Sequence, residues 1–434
     1  MRVICPTHGR VDQLGMIAAL ASLRPRVQIP PRPHHSFSRN QGCFVLFVAK
    51  ADLCHFSFWK LIKLVLHQCL NSLGSIVKDP ALAVQKAVLF TSLLWQECNV
   101  RVKIVAKMDW PAFMKVALLM KKALSNYCTC TIYDRTNIKP GGNILFIGSV
   151  FNRTLGFLSP FLGSSQIVFY GTTEGHSFLD EASLRTARQI KIIAVSNFVK
   201  QMLGEIGISV AGVVHHGVDM RNRRVDTQFY RALKRKLRNK KVIFAVSANH
   251  SRKGLDNLLC AYGLVEQEIK NAYLIVHSEP TGYYNLSKIA KNLKLKGVWL
   301  TNLFGKLSPS RLNAIYKLCN VYVQPSYCEG FGFPMLEAFR FDKPVIAVDA
   351  PPFNEVVRNR DTGTLIPLKG ITWLNFADLV LFKMHMYQPQ DLASAMLELI
   401  SNPHEAARMQ ESIREEKHNW SIHKLYPKLL NYFT

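Results

Sequence analysis

The chain has 434 residues, which at roughly 100–200 residues per domain predicts two or three domains. Its apolar fraction of 48% excludes an intrinsically disordered chain, and its net charge of +26 indicates an anionic partner: nucleic acid, an anionic membrane surface or a phosphorylated small molecule. No apolar run reaches the roughly 18–20 residues of a membrane span, and the first residues lack the charged-then-apolar order of a signal peptide. The ten cysteines form no C-x-x-C pair, so we expect a cytoplasmic protein with reduced thiols.

Residues 1–100 show no strand–helix alternation, and we expect them to form an N-terminal extension of uncertain structure. We interpret the extension either as an added, weakly folded segment or as an upstream misreading of the translation start. The only group in it that resembles metal ligands is Cys54, His55, His67 and Cys69, and its spacing matches no standard site. The sequence therefore predicts no metal site in this segment.

A regular alternation of strands and helices begins at Arg101. Short apolar runs typical of buried strands lie at 102–106, 128–134, 143–148, 166–171, 191–195 and 212–217. An amphipathic helix is predicted over 112–124, and a second begins after Ser196, a natural N-cap. This rhythm predicts a parallel sheet that is covered by helices on both faces.

The alternation restarts after a basic stretch at 219–241, which we interpret as a solvated helix face. Strands are predicted at 241–247, 272–278, 297–301, 321–325 and 344–349, with helices between them and at the C-terminus. The sequence therefore predicts an α/β protein with two Rossmann-like domains facing a cleft. The first domain spans 101–217 and is completed by a C-terminal helix at about 419–434, and the second spans 218–418.

The densest chemical signal is the segment QPSYCEGFGFPMLEAF at 324–339. It leads from a strand through Glu329, Gly330 and Gly332 into a helix that is expected to start near Pro334, with Glu337 in its first turn. The glycines allow close backbone approach, and the N–H groups of a helix start suit a phosphate. The two carboxylates would then bracket a nucleotide diphosphate-sugar. A turn followed by a dipole-favoured glutamate is the alternative interpretation.

The segment EGFGFPMLEA resembles the E-x7-E signature of retaining glycosyltransferases of family 4, which have the two-Rossmann GT-B architecture. Further segments are similar to blocks of that family and occur in the same order, together covering about residues 100–434: 192–203, 213–219, 251–262 and 343–366. The resemblance therefore implies a GT-B glycosyltransferase.

The resemblance also implies roles for individual residues on the donor side. Lys253, with Arg252 beside it, would bind the donor diphosphate and stabilise the leaving nucleotide. Glu329 would contact the donor sugar, and Glu337 would accept hydrogen bonds from the ribose hydroxyls. The backbone N–H groups that would hold sugar hydroxyls or phosphate belong to Phe331, Gly332 and Phe333.

On the acceptor side, the segment YGTTEGHS at 170–177 resembles the place where many members carry a residue facing the reacting sugar. Glu174 and His176 are the candidates, and a turn residue is the alternative for each. His215 and His216 are interpreted as hinge packing or donor-side contacts. Glu355 is a weaker site candidate, for which surface capping is the alternative.

The chain departs from the family pattern in two further places. Ser247 and Ala248 stand where the family often has Gly-Arg, so Arg252 is expected to supply that charge. The loop at 107–113 contains no glycine, so Asp109 and Trp110 could line an acceptor site instead.

The resemblance implies transfer of a hexose from a nucleoside-diphosphate sugar to a hydroxyl acceptor, glycan or lipid-linked, with retained configuration. No D-x-D motif occurs, so we expect no metal and no other cofactor. The basic charge predicts docking on an anionic membrane surface, peripherally on the inner face, through lysines 115, 121 and 122. No nucleic acid is expected, because only Phe229 and Tyr230 flank the basic run at 231–241.

A catalytically silent GT-B protein that binds a glycan or a membrane surface is the alternative function. The presence of Glu329, Glu337 and Lys253 argues against it, because a silent protein would tolerate their loss. A phosphorylase of the same architecture is less favoured, since no lysine motif for pyridoxal phosphate is evident. The sequence leaves open the base, the sugar and the acceptor.

Overall fold

The computed structural model describes residues 100–107 and 110–433. The expected N-terminal extension, its group of cysteines and histidines, and Asp109 lie outside the described residues. All statements below concern the described part of the chain.

The first half is built on a six-stranded parallel sheet in the order β2-β1-β3-β4-β6-β7. The strands of this half, with the short β5 that lies outside the sheet, are β1 Arg101–Ala106, β2 Thr129–Asp134, β3 Gly142–Ser149, β4 Ser165–Thr172, β5 Gly175–Ser177, β6 Lys191–Ala194 and β7 Gly212–Val213. The helices are α1 Pro111–Leu124, α2 Asn152–Leu158, α3 Glu181–Arg188 and α4 Asn197–Glu205. The central strands are almost entirely buried, which explains their continuous apolar runs.

The second half repeats this plan with a parallel sheet in the order β10-β9-β8-β11-β12-β13. Its strands are β8 Lys241–Val246, β9 Ala272–His277, β10 Val298–Leu300, β11 Val321–Val323, β12 Val345–Val348 and β13 Gly363–Ile366. Its helices are α5 Thr227–Lys236, α6 Leu255–Glu268, α7 Leu286–Asn292, α8 Pro309–Leu318, α9 Phe333–Arg340, α10 Pro389–Ser401 and α11 Pro403–Glu416. The prediction of two Rossmann-like domains is therefore confirmed.

The chain returns to the first half after α11. The short helix α12, Ile422–Leu425, lies against α1, and the N–H of Ile422 donates to the carbonyl oxygen of Val218 at 3.1 Å. A 3-10 segment, Tyr426–Tyr432, follows, and the ring of Tyr426 lies 6.2 Å from that of Tyr170 in β4. The C-terminal segment thus packs on the first sheet.

A third, antiparallel sheet was not predicted from the sequence. It consists of a hairpin, β14 Gly370–Phe376 and β15 Val380–Met386, whose second strand pairs with β5 of the first half. A Cβ atom at Gly175 would overlap the carbonyl oxygen of Leu381, so the close approach of these two strands requires glycine. The hairpin therefore ties the second half to the loop that follows β4.

Candidate active site

The loop at 324–332 lies at the carboxyl end of β11, a central strand of the second sheet, and is buried throughout. It ends at Gly332, whose φ of 93° lies in the left-handed region and which precedes the first residue of α9. A Cβ atom at Gly330 would overlap the hydroxyl of Thr172 at the end of β4. The glycines predicted to allow close approach thus let this loop lie directly against the first half.

Glu329 lies at the centre of this loop and faces two cations. Its carboxylate accepts hydrogen bonds from Lys253 Nζ at 2.6 Å and from Arg252 Nη1 at 2.9 Å. Ser326 Oγ, at 2.8 Å, and Gln324 Nε2, at 3.2 Å, donate to the same carboxylate. Burial alone would raise the pKa of Glu329, but Lys253 and Arg252 lower it to about 2, so the group is ionised at neutral pH.

Arg252 and Lys253 lie in a 3-10 turn that follows β8, and Gly254 after them adopts the left-handed conformation. The sheet places β8 next to β11, so the turn and the loop meet although Lys253 and Glu329 are 76 residues apart. Both side chains point to Glu329, and Arg252 also pairs with Glu174 of the first half at 2.9 Å. Glu174, Arg252, Lys253 and Glu329 form the charge cluster, two cations facing two carboxylates.

The pKa values of the two cations of the charge cluster shift in opposite directions, although burial lowers both. Burial lowers the pKa of Arg252, but the carboxylates of Glu174 and Glu329 outweigh it, so the pKa of Arg252 lies above its ordinary value. Burial and the adjacent Arg252 charge lower the pKa of Lys253. The neighbouring His250 has a pKa of about 4 because of burial and the charges of Arg252 and Lys253, so it is neutral at pH 7.

Of the two acceptor-side candidates, the structure brings only Glu174 to the charge cluster. His176 lies in β5, and its Nε2 pairs with Glu205 at 2.6 Å. The ring of His176 lies 4.7 Å from the ring of Trp373 in β14. His176 therefore belongs to the contact between β5 and the hairpin.

The expected position of Glu337 in the first turn of its helix is wrong. Because α9 begins at Phe333, Glu337 lies in the second turn, away from the free N–H groups of the helix start. Its carboxylate accepts a hydrogen bond from Lys115 of α1 at 2.6 Å and lies 3.4 Å from the hydroxyl of Tyr316. The side chain is 7% exposed, and Lys115 also lies over the ring of Phe333 at 4.7 Å. The carboxylate predicted for ribose thus faces the first half.

The predicted backbone donors lie between the charge cluster and α9. Within the described residues, no group accepts a hydrogen bond from the backbone N–H of Phe331 or Gly332, two of the predicted donors, or from that of Gly330. Phe333, the third predicted donor, is the first residue of α9. The side chain of Phe331 packs against the ring of His216 at 5.2 Å. Three backbone donors and the N-terminus of a helix thus converge beside two cations, an arrangement that suits an anion.

Glu355 lies at the contact between the two halves. It accepts hydrogen bonds from the backbone N–H groups of Asn197 and Phe198 at the start of α4, both at 2.8 Å, and from His215 Nε2 at 3.0 Å. Burial raises the pKa of Glu355, but these donors lower it below its ordinary value overall. Glu355 and His215 therefore act as a helix cap between the halves.

His216, which follows His215, is half-buried. Its Nδ1 lies 3.1 Å from the hydroxyl of Tyr170, and its ring packs between Phe331 and Phe333. Burial and the nearby His215 lower the pKa of His216 to about 3, so the imidazole is neutral. This position agrees with the packing interpretation of the sequence.

Two of the three lysines predicted to face a membrane form ion pairs with carboxylates of the protein, although their own side chains remain exposed. Lys115 pairs with Glu337, and Lys122 pairs with Asp219 at 2.5 Å. Lys121 is exposed. Across residues 100–107 and 110–433, no helix is long and apolar enough to cross a membrane. In the same ranges, no three His, Cys, Asp or Glu side chains are grouped in a way that would hold a metal ion.

Parts of the chain are similar in sequence to known glycosyltransferases. Residues 226–382 match the family model of glycosyl transferases group 1. Uncharacterized glycosyltransferase 335 of Sulfolobus islandicus rod-shaped virus 1 is 23% identical over 269 residues, 61% of this chain and 78% of that protein. The serotype-specific mannosyltransferase WbdA of Escherichia coli is 30% identical over 117 residues, 26% of this chain but only 14% of its own length.

Solved structures show the same fold. A complex of Anabaena Alr3699/HepE with UDP and glucose superposes with a TM-score of 0.59 at 14% identity, covering 77% of this chain and 99% of that one. A glycosyltransferase from Rickettsia africae gives a TM-score of 0.60 at 16% identity, covering 77% of this chain and 98% of that one. These structures confirm the predicted GT-B fold, and residues 226–382 are similar to the glycosyl transferases group 1 domain.

Proposed function

We propose that this chain is a retaining hexosyltransferase of family 4 that moves a hexose from a nucleoside-diphosphate sugar to a hydroxyl of a glycan or a lipid-linked acceptor. The observation that carries the proposal is the charge cluster, in which Lys253 and Arg252 converge on Glu329 beside three backbone donors. The cluster lies at the carboxyl edge of a parallel sheet, where ligands of such sheets bind. The UDP and UDP-glucose complexes of HepE support a nucleotide-sugar donor.

The donor diphosphate would take the place next to the two cations. Lys253 and Arg252 are held in position by Glu329 and are ready to form charge-assisted hydrogen bonds with phosphate oxygens. The backbone N–H groups of 330–332 and the N-terminus of α9 add donors that need no side-chain movement. The ribose hydroxyls would donate to Glu337 once Lys115 moves from that carboxylate.

The reaction breaks the bond between the anomeric carbon and the diphosphate oxygen and forms a bond from the same carbon to the acceptor oxygen. Negative charge develops on the departing diphosphate, so Lys253 and Arg252 would lower the barrier by electrostatic stabilisation. Attack from the face that the diphosphate leaves would retain the configuration. The acceptor proton would pass to the departing phosphate oxygen, because Glu329 is ionised but held by both cations.

The two cations would replace a metal ion at the diphosphate, which supports a metal-independent reaction without a further cofactor. Glu174 pairs with Arg252 from the first half, so it would hold that side chain in position and face the acceptor. The net charge of +26 supports a cytoplasmic protein that acts peripherally at the anionic inner face of a membrane.

The test is a transfer assay on the full chain with UDP-, GDP- and ADP-sugars, with nucleotide release and product configuration followed by NMR. We expect one donor class to react with retention. Lys253→Ala is expected to lower kcat by roughly 10²–10³-fold. The control is Lys234→Ala, which removes an exposed lysine of α5 and should leave the rate unchanged. Equal rates in both variants would contradict the proposed role of Lys253.

One observation favours the alternative of a catalytically silent GT-B protein that binds a glycan or a membrane surface. The donor-side side chains satisfy one another, since Glu329 pairs with Lys253 and Glu337 pairs with Lys115. A wild-type chain that binds a glycan or anionic vesicles, but neither binds nor turns over any nucleotide sugar, would establish this alternative.

A further inference from the structure

A second basic site lies on the first half, apart from the charge cluster. A cavity of about 270 Å³ is lined by Arg135, Thr136, Arg153 and Phe157. Arg135 directly follows β2, and Arg153 is the second residue of α2, which follows β3. The cavity therefore lies at the carboxyl edge of the first sheet, the edge that carries ligands in folds of this kind.

The two arginines of this cavity have no partner of opposite charge in the part of the chain that the structure describes. Within the described residues, neither guanidinium forms an ion pair or a hydrogen bond. Arg135 is half-buried and Arg153 is exposed. Two guanidinium groups that share one small cavity repel each other, and an anion between them would relieve this repulsion. By contrast, a larger cavity of about 460 Å³ around Asn143 and Gln166 lies at the amino edge of the sheet and has no charged side chain in its lining.

The register of the strands places this cavity on the same edge as the charge cluster. Asp134, the last residue of β2, pairs with Ala106 of β1, and Ser149 of β3 pairs with Thr172 of β4. The order β2-β1-β3-β4 puts Arg135 three strand spacings from Thr172, or about 14 Å. Thr172 is the residue that meets Gly330 of the buried loop. A molecule extending from the cavity along this edge would reach the reacting centre.

The remaining lining residues indicate what the cavity would hold. The N–H and hydroxyl of Thr136 both donate to Asp134, at 3.0 and 2.9 Å, so the Thr136 oxygen is left to accept a hydrogen bond, as from a hydroxyl. The ring of Phe157 offers an apolar surface. The volume is smaller than that of a typical complete ligand pocket, roughly 300–1,000 Å³, so it suits one group of a larger molecule.

We propose that the acceptor carries a phosphate group and that Arg135 and Arg153 bind this phosphate at a distance from the hydroxyl that receives the sugar. Arginine suits phosphate because its planar fork donates two parallel hydrogen bonds. That the phosphate belongs to an acceptor rests on the proposed transferase function. Phosphate binding at this cavity can nevertheless be measured without any transfer reaction. The phosphate could belong to a soluble sugar phosphate or to a lipid headgroup.

The test measures binding of two probes to the full chain without nucleotide. The probes are mannose 6-phosphate, followed by calorimetry, and vesicles of phosphatidylcholine with phosphatidylglycerol, followed by co-sedimentation. The variant Arg135→Ala/Arg153→Ala is compared with Arg101→Ala, which removes an exposed arginine at the amino edge of the same sheet, and with Lys253→Ala. Circular dichroism checks that each variant is folded, and Arg135→Lys/Arg153→Lys keeps the charge.

We expect at least one probe to bind about tenfold more weakly to the double alanine variant, while Arg101→Ala and Lys253→Ala bind as wild type. The double lysine variant should bind with intermediate affinity. If the double alanine variant loses mannose 6-phosphate binding, the phosphate belongs to a soluble sugar phosphate. If it loses only vesicle binding, the phosphate belongs to a lipid headgroup. The proposal is overturned if the wild type binds neither probe, if all variants bind equally, or if only Lys253→Ala weakens binding. If Lys253→Ala abolishes transfer but leaves phosphate binding unchanged, the cavity and the donor site are two separate binding sites.

Discussion

Replacing Glu329 by glutamine removes the negative charge that Lys253 and Arg252 share, with little change in side-chain size. The carboxylate is buried, and its pKa of about 2 lies well below the ordinary 4.5. At 1.36 kcal/mol for each pH unit, this difference corresponds to a contribution of about 3 kcal/mol to folding. This contribution is similar to the roughly 3–5 kcal/mol of stability that is lost when one partner of a buried ion pair is removed. We therefore expect Glu329→Gln to destabilise the protein by about 3 kcal/mol at pH 7.

The sign of the pH dependence follows from the lowered pKa. The stabilisation from Glu329 is fully present above pH 4.5 and is lost as the pH falls towards 2. The wild type and Glu329→Gln should therefore differ most at pH 7, and the difference should shrink by about 2 kcal/mol at pH 3. Denaturant unfolding followed by circular dichroism at pH 7, 5 and 3 measures this.

The control for this experiment is Glu411→Gln, which removes an exposed carboxylate that pairs with Arg414 within α11. Such exposed pairs contribute little, so we expect a change below about 0.5 kcal/mol at every pH. The charge interaction of Glu329 with Lys253 and Arg252 would be refuted if both variants lost the same free energy of unfolding. It would also be refuted if Glu329→Gln lost as much at pH 3 as at pH 7.

Three further predictions concern the contacts between the halves. Glu174→Gln removes a negative charge that competes with the diphosphate for Arg252, so donor KM should fall about fivefold or more, in steady-state kinetics. Lys115→Ala removes the nearer of two cations from the carboxylate of Glu337, which keeps Arg340 at 3.6 Å, and should also lower donor KM, whereas Lys121→Ala, at an exposed position, should not. Gly175→Ala forces a methyl group against β15 and should destabilise the protein by about 1–3 kcal/mol in thermal unfolding, while Gly156→Ala, in open space, should not.

The two parallel sheets could be predicted because their strands are buried on both faces. Segments such as 144–147 and 242–246 are uninterrupted apolar runs, and helices separate most of the strands. The third sheet could not be predicted in this way. Strand β14 is exposed along almost its whole length, and β5 has three residues, so neither shows a periodic apolar pattern.

The donor side of the candidate site could be predicted in outline for a similar reason. Residues that follow adjacent parallel strands meet at one edge, which brings Lys253 to Glu329. The pairing of Glu337 with Lys115 could not be predicted, because Lys115 is 222 residues away and belongs to the other half. Glu337 lies in the second turn of its helix and not in the predicted first turn, because the left-handed Gly332 allows α9 to start at Phe333.

The acceptor side shows why spacing in sequence is not enough. Glu174 directly precedes β5, and His176, two residues later, lies within β5 opposite Leu381 of the hairpin. One side chain reaches Arg252, and the other reaches Glu205. Strand pairing with β15 decides this, and the sequence of 170–177 gives no sign of that pairing.

The central claim is that the charge cluster binds a nucleotide diphosphate. Thermal unfolding of the full chain with UDP, GDP and ADP and their sugars, beside Lys253→Ala, measures this most directly. A ligand at one hundred times its dissociation constant should stabilise the fold by about 2.7 kcal/mol. We predict that one nucleotide class stabilises the wild type and has a much smaller effect on Lys253→Ala. Stabilisation of both proteins to the same extent, or of neither by any nucleotide, would contradict the claim.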